Sequence, residues 1–275
     1  MKPPPFDYVQ PNTIDEVLSI LNNYGDDAQI IAGGQSIVSM LNMRLIKPKI
    51  LIDINFLKDS SYIISKNESV FIGPTYRQLD LEKRENTQND LPLLSQAISY
   101  VGHMQHRARG TVIGSICHGD PTSELPLCFL ALRGKITLRN KFRERKVNAS
   151  EFYLGPLITL RESNEIATEI EFPISQKKTG YAFEEISEKF GDFAIASFAA
   201  ITNKDKIRFA VGGVSDKPIA IEWENEKNIN LADKLNEFSW SIDIFDNQHT
   251  SEKYKRDLLR KIGLKTINKA IERCY

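Results

Sequence analysis

The sequence has little cysteine and no excess of charge of either sign. Its 275 residues include 3 cysteines, Cys117, Cys128 and Cys274, which form no CxxC pair. A disulfide framework is therefore not expected, and the chain lacks the four ligands of a conventional all-cysteine iron–sulfur cluster. The 36 Lys and Arg residues balance the 36 Asp and Glu residues, whereas a dedicated nucleic-acid-binding protein normally carries a basic excess.

Long apolar runs are also absent. No run approaches the ~20 residues that a membrane-spanning helix needs. The N-terminal segment MKPPPFDYVQP has no apolar signal-peptide core, which predicts a cytoplasmic protein. The most basic segment, residues 139–146 (RNKFRERK), is interpreted as a solvated hairpin or loop rather than a nucleic-acid-binding patch.

Helical and strand patterns occur along the whole chain and predict an α+β protein. Strands are expected at residues 28–31 and 50–54, and helices at residues 37–45, 75–81 and 91–101. A polar, Gly-terminated segment near residues 175–180 predicts a domain boundary. We expect a domain over residues 1–175, with subparts of about 1–57 and 58–175, and a second domain over residues 176–275 made of a sheet with amphipathic helices.

Two glycines follow the first predicted buried strand, in the segment AQIIAGGQS. Gly33 and Gly34 permit positive φ and allow a ligand to approach the backbone closely. The helix that follows directs free N–H groups at this turn, and Ser36 either caps that helix or donates to a phosphate oxygen. The alternative is a plain tight turn, since neither GxGxxG nor a GK[ST] motif is present.

A second glycine-containing loop has the sequence RGTVIGSICHGDPTSELP. Thr111 and Ser115 offer hydroxyls, Gly114 opens the backbone, and Asp120 can accept a hydrogen bond from a ribose or another diol. Two separated phosphate-compatible loops suit a long diphosphate ligand such as FAD better than a single phosphate. We assign no metal site, because His118 beside Cys117 matches no familiar ligand spacing. No catalytic residue is assigned to this chain.

The sequence resembles a known family in several long motifs that occur in collinear order. AGGQSIVSMLNMRLIKPKILIDI and VGHMQHRARGTVIGSICHGDPTSELP are similar to the two FAD loops of the medium, flavin-binding subunits of molybdenum hydroxylases of the carbon monoxide dehydrogenase and xanthine dehydrogenase type. GDFAIASFAA, RFAVGGVSDKPIAIE and EKYKRDLLRKIGLKTINKA resemble the C-terminal part of those subunits. The resemblance covers essentially the whole chain.

This resemblance implies a two-part FAD-binding domain of the vanillyl-alcohol-oxidase (PCMH-type) class, followed by a domain of antiparallel sheet and helices. It also implies an aromatic near the flavin at Phe193, for which a core position is the alternative. The resemblance further implies a basic residue at Lys189, which either lies near the flavin or faces solvent. The implied cofactor-binding residues are Ala32, Gly33, Gly34, Gln35, Ser36, Thr111, Gly114, Ser115, Asp120, Lys189 and Phe193.

The resemblance further implies an electron-transfer subunit. Its FAD would take electrons from a small [2Fe–2S] partner subunit and pass them to an external acceptor. Molybdopterin would lie on a large partner subunit, in a dimer of heterotrimers. NAD, quinone and oxygen all stay open as acceptors. The alternatives are a structural or assembly subunit that has lost FAD and a stand-alone flavin oxidase.

One position departs from the family pattern. Ile113 stands where the TIGG motif usually has its first glycine. A β-branched side chain disfavours positive φ and is expected to add bulk facing the diphosphate. This departure favours the alternative in which FAD has been lost.

Overall fold

The N-terminal part of the chain forms a three-stranded parallel sheet. The computed structural model describes residues 2–246 and 250–274. Strands β1 (Asp7–Val9), β2 (Ala28–Ile31) and β3 (Ile50–Asp53) lie in the order β1-β3-β2, with helix α1 (Ile14–Tyr24) before β2 and helix α2 (Ile37–Asn42) after it. The Thr13 hydroxyl caps α1 by accepting from the Glu16 N–H, and the apolar face of α1 is buried against the sheet. The two glycines therefore follow β2 at the carboxyl edge of a parallel sheet.

A five-stranded antiparallel sheet follows, in the order β4-β5-β10-β6-β7. Its strands are β4 (Ile63–Lys66), β5 (Ser69–Ile72), β6 (Lys135–Arg139), β7 (Glu144–Asn148) and β10 (Ile166–Pro173). The accompanying elements are α3 (Gln78–Lys83), α4 (Thr87–Asp90), α5 (Pro92–Ala97), α6 (Met104–Arg109), α7 (Val112–His118), α8 (Glu124–Ala131), α9 (Ala149–Phe152) and the short pair β8 (Tyr153–Gly155) and β9 (Ile158–Thr159). The basic segment is the β6–β7 hairpin, as predicted, and Arg145 pairs there with the buried Glu165 at 2.7 Å.

The C-terminal part is an antiparallel meander covered on both faces. It consists of β11 (Gly180–Ser187), β12 (Ala194–Thr202), β13 (Lys206–Gly212) and β14 (Ile219–Glu224), followed by α10 (Leu231–Ser241) and α11 (Glu252–Glu272). Successive strand residues point to opposite faces. Phe198 and Phe209 accordingly pack in the core beneath α10 and α11. Ala199 and Ala210 pack in the other core, which contains the wholly buried helix α8.

The strands predicted at residues 28–31 and 50–54 are confirmed as β2 and β3, and the ends of the helices are predicted less well. Helix α2 stops at Asn42 instead of residue 45, and Arg44 beyond it has a positive φ of 58°. Helix α3 begins only at Gln78, because residues 76–78 first pair with the backbone of residues 110–112. Helix α5 begins at Pro92, as expected for proline in a first turn, but ends at Ala97.

Candidate functional site

The Gly-Gly turn after β2 presents unpaired backbone donors. Gly34 has a φ of +77°, in the left-handed region that favours glycine. The N–H groups of Gly34, Gln35 and Ser36 donate to no acceptor among the residues that the structure describes. Ser36 occupies the N-cap position of α2, but its hydroxyl makes no capping bond. The side chain of Gln35 donates to the Gly33 carbonyl at 3.1 Å and so stiffens the turn.

The second loop is the capped start of helix α7. The Thr111 hydroxyl accepts from the Gly114 N–H at 3.0 Å, and the Ser115 N–H donates to the Thr111 carbonyl at 3.2 Å. A Cβ on Gly114 would lie 2.6 Å from the Thr111 hydroxyl, so the cap requires glycine there. Thr111 itself is buried. Most of the polar groups of this loop are therefore engaged within the protein, and Ser115 is half-buried with its hydroxyl unengaged in the described part of the chain.

The two loops lie in direct contact. A Cβ added to Gly33 would lie 2.5 Å from the Arg109 carbonyl oxygen and 2.7 Å from the Gly110 Cα. Real side chains do not approach a backbone so closely, so only glycine allows the two segments to meet. The fold thus brings together two motifs that lie far apart in the sequence.

A chain of polar side chains, which the sequence reading missed, runs beside this contact. Asp53, at the end of β3, accepts from the side chain of Asn55 at 2.5 Å. Asn55 also donates to the Ala32 carbonyl at 2.7 Å and accepts from Arg77 at 2.5 Å. The other terminal nitrogen of Arg77 donates to the Arg109 carbonyl. The only sequence signal was the position of Asn55 just beyond a parallel strand, at the same sheet edge as the glycines.

The structure corrects the expectation for Ile113. Because helix α7 starts at Val112, Ile113 has a helical backbone and needs no positive φ. Its side chain is 4% exposed and packs in the core that contains α8. The expected bulk facing the diphosphate is therefore wrong, and the main sequence feature that favoured loss of FAD is removed.

Asp120 lies in a tight turn between α7 and α8. One of its carboxylate oxygens accepts from the backbone N–H of Thr122 at 2.8 Å and from the hydroxyl of that residue at 2.6 Å. Gly119, which ends α7, has a φ of +68°, in the left-handed region that favours glycine. The next residue, Pro121, accepts from the Gly213 N–H at 2.8 Å and so fixes the turn against the end of β13.

The loop between β11 and β12 carries the two remaining predicted site residues. Phe193 is 72% exposed, so the alternative of a core aromatic is wrong. Lys189 is exposed, with its ammonium 3.7 Å from the Asp192 carboxylate. A Cβ on Gly191 would lie 2.7 Å from the ring of His103, which shows that this loop packs on the segment leading to the second glycine loop.

Burial shifts the pKa of three titratable groups near these loops in the direction that favours their neutral forms. Burial raises the pKa of the Cys117 thiol to about 11 and lowers the pKa of His118. Burial also raises the pKa of Glu124, the first residue of α8, to about 7. Within residues 2–246 and 250–274, no three His, Cys, Asp or Glu side chains are grouped to hold a metal ion. Over the same residues, every helix is too short or too polar to cross a membrane.

Comparison with known proteins shows the family of the chain. Residues 4–175 match the family model described as the FAD binding domain in molybdopterin dehydrogenase. The chain is 32% identical to 6-hydroxypseudooxynicotine dehydrogenase complex subunit alpha of Paenarthrobacter nicotinovorans, with 99% of this chain and 97% of that protein covered. It is also 32% identical to the glyceraldehyde dehydrogenase medium chain of Sulfolobus acidocaldarius, with 97% and 99% covered.

A solved structure extends the likeness to the whole fold. A chain of carbon monoxide dehydrogenase from Hydrogenophaga pseudoflava superposes with a TM-score of 0.92 at 29% identity, and the match covers 100% of both chains. The medium chain of the enzyme from the same organism is 34% identical over 83% of this chain and 80% of its own length. The chain therefore belongs to the FAD-binding medium subunits of the molybdenum hydroxylases.

Proposed function

We propose that this chain binds FAD through its two glycine loops and serves as the electron-transfer subunit of a molybdenum-containing dehydrogenase. It would receive electrons from a [2Fe–2S] partner subunit and pass them to an external acceptor. Bound FAD supplies a centre that accepts and releases electrons, while the protein binds it and sets its position. The observation that carries the proposal is the contact of the two loops at Gly33, within a chain of this family.

The donor set of the first loop fits a diphosphate. Three successive N–H groups, on Gly34, Gln35 and Ser36, have no acceptor in the described part of the chain and lie in a turn that leads into a helix. Such backbone donors form charge-assisted hydrogen bonds with anionic oxygens. We assign the diphosphate to these groups, to the Ser36 hydroxyl and to the backbone of Ala32 and Gly33.

The second loop completes the proposed site. Ser115 offers its unengaged hydroxyl, and Thr111 with Gly114 fixes the backbone from which Ser115 projects. Asp120 keeps one carboxylate oxygen for the cofactor while the other holds the turn. We include Phe193 and Lys189 in the site because both side chains are exposed. The ring of Phe193 and the ammonium of Lys189 are therefore accessible to the flavin.

The proposal includes the partners and the setting. Relatives are named as a subunit alpha and as medium chains, which supports assembly with a large molybdopterin-binding subunit and a small [2Fe–2S] subunit. We extend this to a dimer of heterotrimers in the cytoplasm. We also propose that residues 1–175 form the FAD-binding domain and residues 176–275 a second domain that closes over it, with the match to residues 4–175 as support.

The test is cofactor content. Full-length chain is purified, denatured, and assayed for released FAD by fluorescence. A stoichiometric amount of FAD is the expected result, and protein that neither retains FAD nor takes it up on titration would contradict the proposal. Turnover of an organic substrate by the isolated chain would instead support the stand-alone oxidase.

A further inference from the structure

The contact between the two glycine loops is spanned by two side chains outside both motifs. On the first loop, the Ala32 carbonyl accepts from the amide of Asn55 at 2.7 Å. On the second, the Arg109 carbonyl accepts from Arg77. The bridge closes between them, because Arg77 also donates to the Asn55 side-chain oxygen at 2.5 Å. The Arg109 carbonyl is the same oxygen that faces the missing side chain of Gly33.

Further hydrogen bonds fix the orientation of both Asn55 and Arg77. Asp53 accepts from the Asn55 side chain and, at 2.9 Å, from the Asn55 backbone, so the amide is aimed at the first loop. The backbone beside Arg77 pairs with the second loop, with the Gln78 N–H donating to the Gly110 carbonyl at 2.9 Å. Because these contacts fix the orientation of Asn55 and Arg77, the two side chains can determine where the loops lie.

The chemistry of Arg77 suits this role. Burial, followed by the positive charge of Arg109, lowers the pKa of the Arg77 guanidinium. A half-buried cation in such surroundings is unfavourable unless its donors are satisfied. The planar guanidinium presents two donors in a fixed fork, and here one goes to each side of the loop contact. A lysine ammonium has no such fork.

We propose that Arg77, acting through Asn55, is a positioning residue that sets the separation of the two diphosphate loops. This inference rests on the proposed function, since the separation matters only if one ligand spans both loops. Arg77 holds the Arg109 carbonyl directly and the Ala32 carbonyl through Asn55, so the donors of residues 34–36 and the hydroxyl of Ser115 face the ligand at a fixed distance. Binding then requires no ordering of the loops.

The experiment compares the FAD affinity of full-length variants by fluorescence titration of apoprotein. Arg77→Met removes the fork at similar length. Arg208→Met is the matched control, because Arg208 is also half-buried and donates to two backbone carbonyls, those of Ala131 at 2.8 Å and Leu130 at 3.0 Å. We expect Arg77→Met to weaken FAD binding by about 10- to 100-fold, and Arg208→Met to lower the melting temperature with little change in affinity.

Two further variants separate positioning from general destabilisation. Arg77→Lys keeps the positive charge without the forked donors, so its FAD affinity should lie between those of Arg77→Met and the wild type. It also replaces Arg77→Met in the comparison if that variant does not fold. In a double-mutant cycle with Asn55→Ala, the affinity losses should be strongly non-additive, because either change breaks the same bridge.

Wild-type affinity in Arg77→Met, additive losses in the cycle, or equal losses in Arg77→Met and Arg208→Met would each overturn the inference. Failure of the wild-type chain to bind FAD would overturn the proposed function itself.

Discussion

The two glycine loops look alike in sequence but differ in what their polar groups do. In the first loop, the N–H groups of Gly34, Gln35 and Ser36 are left without protein acceptors among the described residues. In the second, Thr111 caps the N–H of Gly114, and Ile113 is anchored in the core. A glycine-rich motif therefore does not by itself provide backbone N–H groups that are available to a ligand. In the site that we propose, the first loop would supply most of the backbone donors, whereas the second loop uses most of its own polar groups to fix its backbone.

The largest expected effect tests the anchoring of the second loop. Replacing Ile113 with Gly, which restores the usual family residue, removes a buried side chain and places glycine in a helix. We expect the free energy of unfolding to fall by about 3–5 kcal/mol, measured by urea denaturation, with no gain in FAD affinity. Ile113→Val is the control and should lose about 1 kcal/mol. Tighter FAD binding by Ile113→Gly would contradict the difference between the loops.

The next effect acts where the loops touch. In Gly33→Ala the new methyl group would lie 2.5 Å from a backbone atom of the second loop. The backbone cannot move aside as easily as the end of a flexible side chain. We expect a loss of about 1–3 kcal/mol in stability and at least about tenfold weaker FAD binding. Gly155→Ala is the matched control, since its nearest neighbour would be a side-chain atom at 4.0 Å. Equal behaviour of the two variants would show that the loops do not need this close approach.

A smaller effect concerns the cap of the second loop. Thr111→Val keeps the shape of a buried residue and removes the oxygen that accepts from Gly114. We expect the melting temperature to fall, corresponding to about 1 kcal/mol, and Thr111→Ser to restore it. If Thr111→Val weakened FAD binding without lowering stability, Thr111 would contact the ligand directly, and the two loops would be more alike than their hydrogen bonds suggest.

The smallest effect distinguishes the first loop from the second. The Ser36 hydroxyl makes no capping bond, so Ser36→Ala should leave the unfolding free energy within about 0.5 kcal/mol of wild type. Its FAD affinity should fall by about three- to tenfold, because a donor to an anionic oxygen is lost. Ser39→Ala, an exposed change within the same helix α2, provides the control and should alter neither quantity.

Much of the fold follows from local sequence patterns. The strand predicted at residues 28–31 matches β2 at both ends, although only Ala28 of its four residues is buried. The start of α3 was predicted too early, because backbone pairing between residues 77 and 111 overrides local periodicity there.

The site was only partly visible in the sequence. The glycine motifs stand out because glycine is conformationally distinctive, whereas the link between Asn55 and Arg77 joins polar residues of ordinary local context. Ile113 was misread for the complementary reason. Comparison with the family motif shows that isoleucine is unusual at this position. It does not show that α7 begins at Val112, which directs the side chain of Ile113 into the core.

The wholly buried helix α8 has a consequence for how the chain is made. All 8 of its residues are buried, and part of their cover comes from β12 and β13, which lie later in the chain. During synthesis from the N-terminus, the first 175 residues leave the ribosome before that cover exists. Until β12 and β13 have emerged, part of the apolar surface of α8 is therefore uncovered, and such transiently exposed apolar surface is prone to aggregation.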